Sequence, residues 1–178
     1  MSVSNANGDE GFAGHFTVLN ERENIDFTNR TISASSGGLN GVYSADLNND
    51  GNIDIVSLSQ SSDKVVWFEN LGSGNFSSER VINSSVVDPY DVQVADLDDD
   101  GDLDVFHGSI TSTQITWYPN NGNETFSSGI SIFTGSNSPR GVHAADIDGD
   151  GDLDLLAAAL NSNTIFWREN LGDGDFSG

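Results

Sequence analysis

Short apolar runs separated by polar turns dominate the chain and recur at a fixed spacing. One unit begins with the partly alternating run Val92–Asp96 and continues, after a polar loop, into the apolar run Leu103–Phe106. A run with an aromatic centre, Ile115–Asn120, comes next and is followed by a Gly/Asn turn and Phe126. Such runs are β-branched or aromatic and are bounded by Gly, Asn, Asp and Ser, which is typical of β-strands. The pattern therefore predicts strands and gives no indication of helices.

The polar loops are the clearest marker of a repeat. They read D-L-N-N-D-G-N-I-D from Asp46, D-L-D-D-D-G-D-L-D from Asp96 and D-I-D-G-D-G-D-L-D from Asp146, so the repeat length is 50 residues. Four strands per unit with a period of about 40–50 residues is typical of a β-propeller blade. We therefore predict an all-β fold made of about three four-stranded propeller blades. Three equivalent tryptophans, which we expect to fill space between neighbouring blades, are Trp67, Trp117 and Trp167.

The boundaries of the units follow from superposing positions one repeat apart. Residues 1–14 are small and polar, and we predict a disordered lead-in there. Residues 15–34 are expected to be a partial blade, with an isolated fourth strand at Phe27–Ile32. The chain stops where the fourth strand of the last blade should begin, so we expect either a longer chain or association of copies to complete the ring. The predicted blades span about 35–84, 85–134 and 135–178.

Charge and cysteine content exclude several classes of function. The chain has 28 acidic and 6 basic residues and a formal charge of −22, which argues against nucleic acid as a partner. Cysteine is absent, so neither disulfides nor thiolate chemistry is available. No apolar run approaches the roughly 18 residues of a membrane helix, and the first residues lack the pattern of a signal peptide. Fourteen of the acidic residues lie in the three repeated loops, and such crowding of like charge is costly unless a cation lies among them.

Carboxylates at alternate positions around a glycine provide the oxygen ligands that Ca²⁺ requires. An EF-hand would need a glutamate at the twelfth loop position, where this chain has Ser57, His107 and Ala157. Magnesium is disfavoured because it takes few carboxylates and retains several waters. Three calcium ions are therefore predicted, with Asn52, Asp102 and Asp152 contributing their backbone carbonyls and the first loop binding most weakly because Asn48 replaces a carboxylate. The predicted side-chain ligands are Asp46, Asn48, Asp50 and Asp54, then Asp96, Asp98, Asp100 and Asp104, and finally Asp146, Asp148, Asp150 and Asp154.

The A-D-L-D-x-D-G-x-x-D core, with a V-x-x-A strand before it and a W-Y/F-x-N strand after it, resembles the FG-GAP/VCBS repeat of integrin-α-like propellers. The resemblance covers roughly residues 27–178. It implies a calcium site between the first and second strands of each blade and a ligand-binding surface on the opposite face. Propellers of the family typically close with about seven blades, which is more than this chain supplies.

We expect the loop tips on the binding face to carry the residues that contact a ligand. Equivalent positions there differ from copy to copy, and Asn40, Tyr90 and Arg140 are the candidates. The histidines His15, His107 and His143 have no repeated equivalents and no evident base or nucleophile beside them, so we expect no enzyme activity. We predict a calcium-stabilised extracellular or cell-surface module for binding or adhesion, which recognises a protein or a glycan. The alternatives are a lectin, or the propeller portion of a secreted polysaccharide-active enzyme.

Overall fold

The computed structural model of the protein describes residues 28–33, 37–134 and 138–177. The chain divides into two units, residues 1–30 and 31–178, and every described strand lies in the second. These described residues form β-strands without any helix, as the sequence predicts. No helix suited by length and hydropathy to crossing a membrane is present in this described part of the chain.

The strands form three antiparallel sheets that follow one another along the chain. Each sheet is a meander in which consecutive strands pair, which is the topology of a propeller blade. The first blade contains β1 (Leu39–Ala45), β2 (Asp54–Ser59), β3 (Lys64–Phe68) and β4 (Arg80–Asn83). The second contains β5 (Pro89–Ala95), β6 (Asp104–Ser109), β7 (Gln114–Tyr118) and β8 (Ile130–Thr134). The third contains β9 (Pro139–Ala145), β10 (Asp154–Ala159) and β11 (Thr164–Arg168).

The middle strands of the second blade are buried on both faces. All six residues of β6 are buried, and so are the last four of β7. A strand covered on one side only alternates between buried and exposed positions, whereas a strand between two packed layers is buried at every position. The uninterrupted burial of β6 therefore follows from its place between the first and third blades.

Two hydrophobic cores join the blades. The first lies between blades one and two and includes Trp67 and Tyr118, and the second lies between blades two and three and includes Trp117 and Phe176. The Trp67 and Trp117 side chains are 2% and 4% exposed, so they fill the space between blades as predicted. Trp167 is 42% exposed, because no described residue packs over that face of the third blade as a further blade would.

The first strand of the third blade, β9, approaches both β5 and β6 of the second blade closely. A Cβ atom on Gly108 would come within 2.8 Å of the Pro139 carbonyl oxygen, so only glycine fits there without a shift. Nearby, the backbone N–H of Val142 in β9 donates to Asp91 Oδ2 in β5 at 2.9 Å. The blades are thus joined by polar contacts at their inner strands as well as by the apolar cores.

Two sequence predictions need correction. Residues 28–33 form no strand, so the predicted strand at Phe27–Ile32 is wrong for the part of it that the structure describes. A strand requires a hydrogen-bonded neighbour, and no described strand pairs with this segment. The fourth strands also begin later than Phe76 and its equivalents, because these phenylalanines instead close a turn through isolated bridges such as Asn70 with Phe76. The predicted lead-in and most of the partial blade lie outside the described residues.

Candidate metal centre

Each acidic loop connects the first and second strands of a blade, where the sequence predicts a calcium site. The second loop turns sharply because two of its residues adopt left-handed backbone angles, with φ of 57° at Asp99 and 92° at Gly101. Asn, Asp and Gly tolerate this conformation better than other residues. The other two loops repeat the same turn at Asn49 and Gly51 and at Gly149 and Gly151.

The last aspartate of each loop is fully buried at the first position of a second strand. Asp104 has no exposed surface, and its Oδ2 accepts the backbone N–H of Leu97 at 3.1 Å. Its Oδ1 accepts the backbone N–H of Asn120 at 2.7 Å. Burial raises the pKa of Asp104 to about 7 and also raises the pKa of Asp54, despite these hydrogen bonds. A buried carboxylate with a raised pKa lacks compensating positive charge.

Folding brings the second loop's carboxylates together. Asp96, Asp98 and Asp104 each place one carboxylate oxygen within 4.8 Å of the others. Burial, with the neighbouring charges of Asp100 and Asp96, raises the pKa of Asp98. Two atoms of the group, Asp96 Oδ1 and Asp98 Oδ1, are buried and have no hydrogen-bond partner. Because unpaired buried oxygens are costly, this donor set fits a hard cation such as Ca²⁺.

The third loop forms an equivalent group from Asp146, Asp148 and Asp154, again with one oxygen of each within 4.8 Å of the others. Asp146 and Asp148 are exposed, whereas their equivalents in the second loop are half-buried. The second loop is therefore the better enclosed of the two candidate sites. Partial desolvation raises the pKa of Asp148 in the same direction as that of its counterpart.

The first loop has no group of three carboxylates, at least within the described residues, since Asn48 occupies the middle position. Asp46 there accepts the backbone N–H groups of Asp50 at 3.1 Å and Gly51 at 2.8 Å. An amide oxygen remains available from Asn48, although its Oδ1 also accepts the Asp50 N–H at 3.3 Å. Because this loop has fewer carboxylates, weaker cation binding there stays our prediction.

The remaining predicted ligands stand apart from the carboxylate groups. Asp100 Oδ1 accepts the backbone N–H of Asp102 at 2.9 Å. The equivalent bond from Asn52 lowers the pKa of Asp50, and Asp150 accepts the N–H of Asp152 in the third loop. These fifth-position aspartates thus stabilise the turn, and their place in a metal coordination sphere stays a prediction.

Neighbouring loops contact each other differently at the two junctions between blades. At the first junction the side chain of Asn49 donates from Nδ2 to Asp102 Oδ1 at 2.8 Å. At the second, the equivalent residues are Asp99 and Asp152, and the negative charge of Asp99 is among the causes that raise the pKa of Asp152, after burial and Asp150. The loops at the first junction therefore attract each other through a hydrogen bond, whereas at the second junction two carboxylates repel each other.

An asparagine after the third strand of each blade holds the acidic loops in place; the sequence shows it only as the end of the W-Y/F-x-N motif and gives it no role. The side chain of Asn120 donates from Nδ2 to the carbonyl oxygens of Leu103 at 3.0 Å and Leu47 at 2.9 Å. Its own backbone N–H reaches Asp104, as described above. The available signal was its identity in all three copies, at Asn70, Asn120 and Asn170.

The candidate ligand residues lie on the opposite face, at the starts of first strands rather than in loops. Asn40 is in β1, Tyr90 in β5 and Arg140 in β9, which corrects the prediction that they occupy loop tips. The strands extend further than predicted because a β-bulge leaves Tyr90 and Arg140 unpaired yet within the ladder. The Arg140 guanidinium lies 5.1 Å from the centre of the Tyr90 ring, so two of the three candidates are brought together.

Asp88 connects the loops around Tyr90 and Arg140. It accepts hydrogen bonds from Gln60 Nε2 and, at 2.7 Å, from Thr111 Oγ1. The hydrogen bond from Gln60, with that from Thr111 and the charge of Arg140, lowers the pKa of Asp88. These contacts show that loops from the first two blades share one face with the start of β9.

The histidines occupy unrelated environments. His107 is 1% exposed and stacks on Tyr118, with 5.7 Å between ring centres. Its Nε2 lies 3.1 Å from Tyr118 Oη and its Nδ1 lies 3.3 Å from Ser109 Oγ. His143 is exposed on β9, and His15 lies outside the described residues. His107 is therefore a buried packing residue.

The fold, the repeated turn and the carboxylate groups together define a propeller blade of the FG-GAP type. The chain belongs to the FG-GAP-like repeat family, whose model matches residues 46–107 and 108–157. A search of curated proteins found no match.

Two solved structures share the fold. A lectin from Agrocybe aegerita, described as specifically recognising non-reducing terminal N-acetylglucosamine, is 22% identical with a TM-score of 0.57, over 77% of this chain and 37% of the lectin chain. The Tc holotoxin pore of Photorhabdus luminescens is 20% identical with a TM-score of 0.50, over 76% of this chain and 6% of the toxin chain. The chain thus spans little more than a third of the lectin and a small part of the toxin.

Proposed function

We propose that this chain is a calcium-stabilised module that binds a carbohydrate or protein ligand outside the cell or at its surface. The observation that carries the calcium proposal is the pair of buried oxygens without a partner, Asp96 Oδ1 and Asp98 Oδ1, beside the buried carboxylate of Asp104. Calcium, when bound, supplies positive charge and coordination to these oxygens.

The residues of the chain then act as a clamp on the turn between two strands. Asp104 is held from both sides by backbone N–H groups, while Asp96 Oδ2 accepts the N–H of Gly101 at 3.0 Å. These bonds orient the carboxylates before any cation arrives. A bound cation neutralises the carboxylates and removes the repulsion between them, which opposes folding. Cation binding therefore increases the free energy of unfolding. Extracellular modules bind calcium at about 10⁻⁴–10⁻³ M, which suits the external location that we propose.

The proposed ligand surface is the face opposite the calcium loops, around Tyr90 and Arg140. An aromatic ring beside a guanidinium offers both a stacking surface and hydrogen-bond donors, which suits a sugar ring with its hydroxyl groups. The N-acetylglucosamine lectin with the same fold supports a glycan as the first candidate. A protein ligand is the second, and association of copies or a longer chain would enlarge the same surface.

We propose a binding role rather than an enzymatic one. Among the described histidines His107 is buried inside a blade, and the clustered carboxylates are explained by the turns that they close. If instead the chain is the propeller portion of a polysaccharide-active enzyme, cleavage of a polysaccharide in the presence of calcium will reveal it.

Thermal unfolding tests the calcium proposal. We expect excess chelator to lower the melting temperature and added Ca²⁺ to restore it, with Mg²⁺ much less effective. The variant Asp98→Asn removes one carboxylate of the best enclosed site and should reduce the response to calcium. An unchanged melting temperature in chelator would show that the loops do not depend on a cation.

A glycan array tests the ligand surface. We expect the chain to bind glycans, with terminal N-acetylglucosamine bound most strongly. This binding should be lost in Tyr90→Ala and in Arg140→Ala. The matched control is His143→Ala, which changes another exposed side chain of the same strand, β9. Equal loss in the control, or binding that survives both substitutions, would contradict the proposed surface.

A further inference from the structure

We propose that Asn120 and Asn170 couple neighbouring calcium loops, so that cation binding in one blade raises the affinity of the next. This inference rests on the proposed calcium function and concerns residues that are not themselves ligands. Both asparagines are positioning residues: each holds an aspartate of its own blade and a loop carbonyl of the preceding blade.

The first coupling path runs from blade one to blade two through three hydrogen bonds. The backbone N–H of Leu47 donates to Asp54 Oδ2 at 3.1 Å, so the peptide of Leu47 is tied to the buried aspartate of the first loop. The carbonyl oxygen of Leu47 accepts Asn120 Nδ2 at 2.9 Å. The backbone N–H of Asn120 then donates to Asp104 Oδ1 at 2.7 Å. The buried aspartates of two metal loops are therefore joined through one residue on each side of the blade junction.

The second path repeats the first between blades two and three. Leu97 donates its N–H to Asp104 and accepts Asn170 Nδ2 at its carbonyl oxygen, the latter at 2.8 Å. The backbone N–H of Asn170 donates to Asp154 Oδ1 at 2.8 Å. Because Asp104 belongs to both paths, the three loops are connected in series.

Water cannot take over these bonds, because the path is buried along its length. Asn120 and Asn170 are 2% and 1% exposed, and Leu47 and Leu97 are 3% and 2% exposed. All four hydrogen bonds to the aspartates along these paths come from backbone N–H groups, those of Leu47, Leu97, Asn120 and Asn170. A cation that fixes Asp54 and its loop therefore also fixes the Leu47 carbonyl, and through Asn120 it favours the ligand orientation of Asp104. By linkage, binding at the second loop favours the first to the same extent.

Asn70 provides a control within the same chain. Its backbone N–H donates to Asp54 Oδ1 at 2.8 Å and its Nδ2 donates to the Ile53 carbonyl at 2.9 Å, which matches the bonds of Asn120 within its own blade. Its side chain makes no bond to another blade among the described residues, and Asn70 is only half-buried. Asn70→Ala therefore removes the local side-chain bond to Ile53, keeps the backbone N–H that binds Asp54, and leaves both described junctions intact.

The experiment compares calcium titrations of the parent chain, Asn70→Ala and Asn120→Ala by calorimetry. The parent isotherm should be steeper than expected for independent sites. Asn120→Ala should flatten it and weaken binding by about 5-fold or more, the range of measured couplings between sites. Asn70→Ala should keep the steepness of the parent. Circular dichroism will confirm that each variant is folded, and Asn170→Ala tests the second junction if Asn120→Ala does not fold.

A double-mutant cycle separates coupling from a local effect. Asp46→Ala disables the first loop, and in the parent background it should weaken calcium binding at the remaining loops. In the Asn120→Ala background the same substitution should cause no further weakening at those loops. Equal effects of Asp46→Ala in both backgrounds, or equal isotherms for Asn70→Ala and Asn120→Ala, would overturn the coupling. A parent chain that takes up no calcium would instead overturn the proposed function itself.

Discussion

Acid should destabilise this protein through His107, which lies inside the second blade. Burial lowers the pKa of His107 to about 4, against about 6.5 for an exposed histidine. The ring is stacked on Tyr118, whose pKa is raised by burial so that it stays neutral, and Ser109 lies beside the other ring nitrogen. No carboxylate is among these contacts to stabilise an imidazolium.

The magnitude follows from the difference between the folded and unfolded pKa values. Below about pH 6.5 the unfolded chain binds a proton at His107 while the folded chain does not, so stability falls as the pH falls. At about 1.4 kcal/mol per pKa unit, this single residue should cost about 2 kcal/mol at pH 5 and about 3 kcal/mol at pH 4, compared with pH 7.5. Above about pH 6.5 the unfolded chain no longer gains this proton, so the stability lost through His107 should be recovered there.

The assay is urea unfolding between pH 4 and pH 7.5, on the parent and on His107→Ser. Serine is the residue at the equivalent position of the first blade, where Ser57 is buried and donates to the Gly41 carbonyl at 2.9 Å. Both proteins share the aspartates, such as Asp104, whose raised pKa values give the opposite pH dependence, so the difference between the two curves isolates His107. A difference that does not change with pH would refute the reasoning.

Three further outcomes are expected. Trp117→Ala should cost about 3–5 kcal/mol of unfolding free energy by urea titration, because the side chain is 4% exposed, whereas Trp167→Ala should cost roughly half as much or less at 42% exposure. Gly174→Ala should destabilise by about 1–3 kcal/mol in the same titration, since its Cβ would overlap the Trp117 ring and its φ is 72°; a neutral effect would argue against this packing. Asp104→Asn should shrink the calcium-induced rise in melting temperature, and an unchanged rise would exclude Asp104 from the site.

The repeat made much of the fold predictable. The acidic loops recur every 50 residues, and each is followed by a run centred on tryptophan. These features specify the strand order because turns and apolar alternation are local properties of the sequence. The carboxylate groups around Asp98 and Asp148 were predictable for the same reason, since ligands nine or fewer residues apart meet when one loop closes. One wrong prediction concerns position along a strand: Tyr90 lies in β5 because a bulge extends the ladder, and a bulge has no clear sequence signature.

Apart from the general place of the tryptophans, the contacts between blades could not be derived from the sequence. The bond from Asn120 to Leu47 joins residues 73 apart, and only the packing of two complete blades brings them together. The different exposure of Trp117 and Trp167 is likewise a matter of which neighbour is present, because their local sequences are alike. Identity of a polar residue in every copy, as at Asn120, was the one clue that pointed to such a contact.

The asparagine bond between blades gives every unit a polarity. Each blade offers a loop carbonyl on one side and an asparagine amide on the other, so the junction from Leu47 to Asn120 is reproduced from Leu97 to Asn170 without any change in chemistry. A duplicated segment of fifty residues would arrive with both halves of this contact and could be inserted between two existing units at once. We therefore expect growth by whole repeats to preserve this asparagine bond, whereas gain or loss of part of a repeat would break it on at least one side.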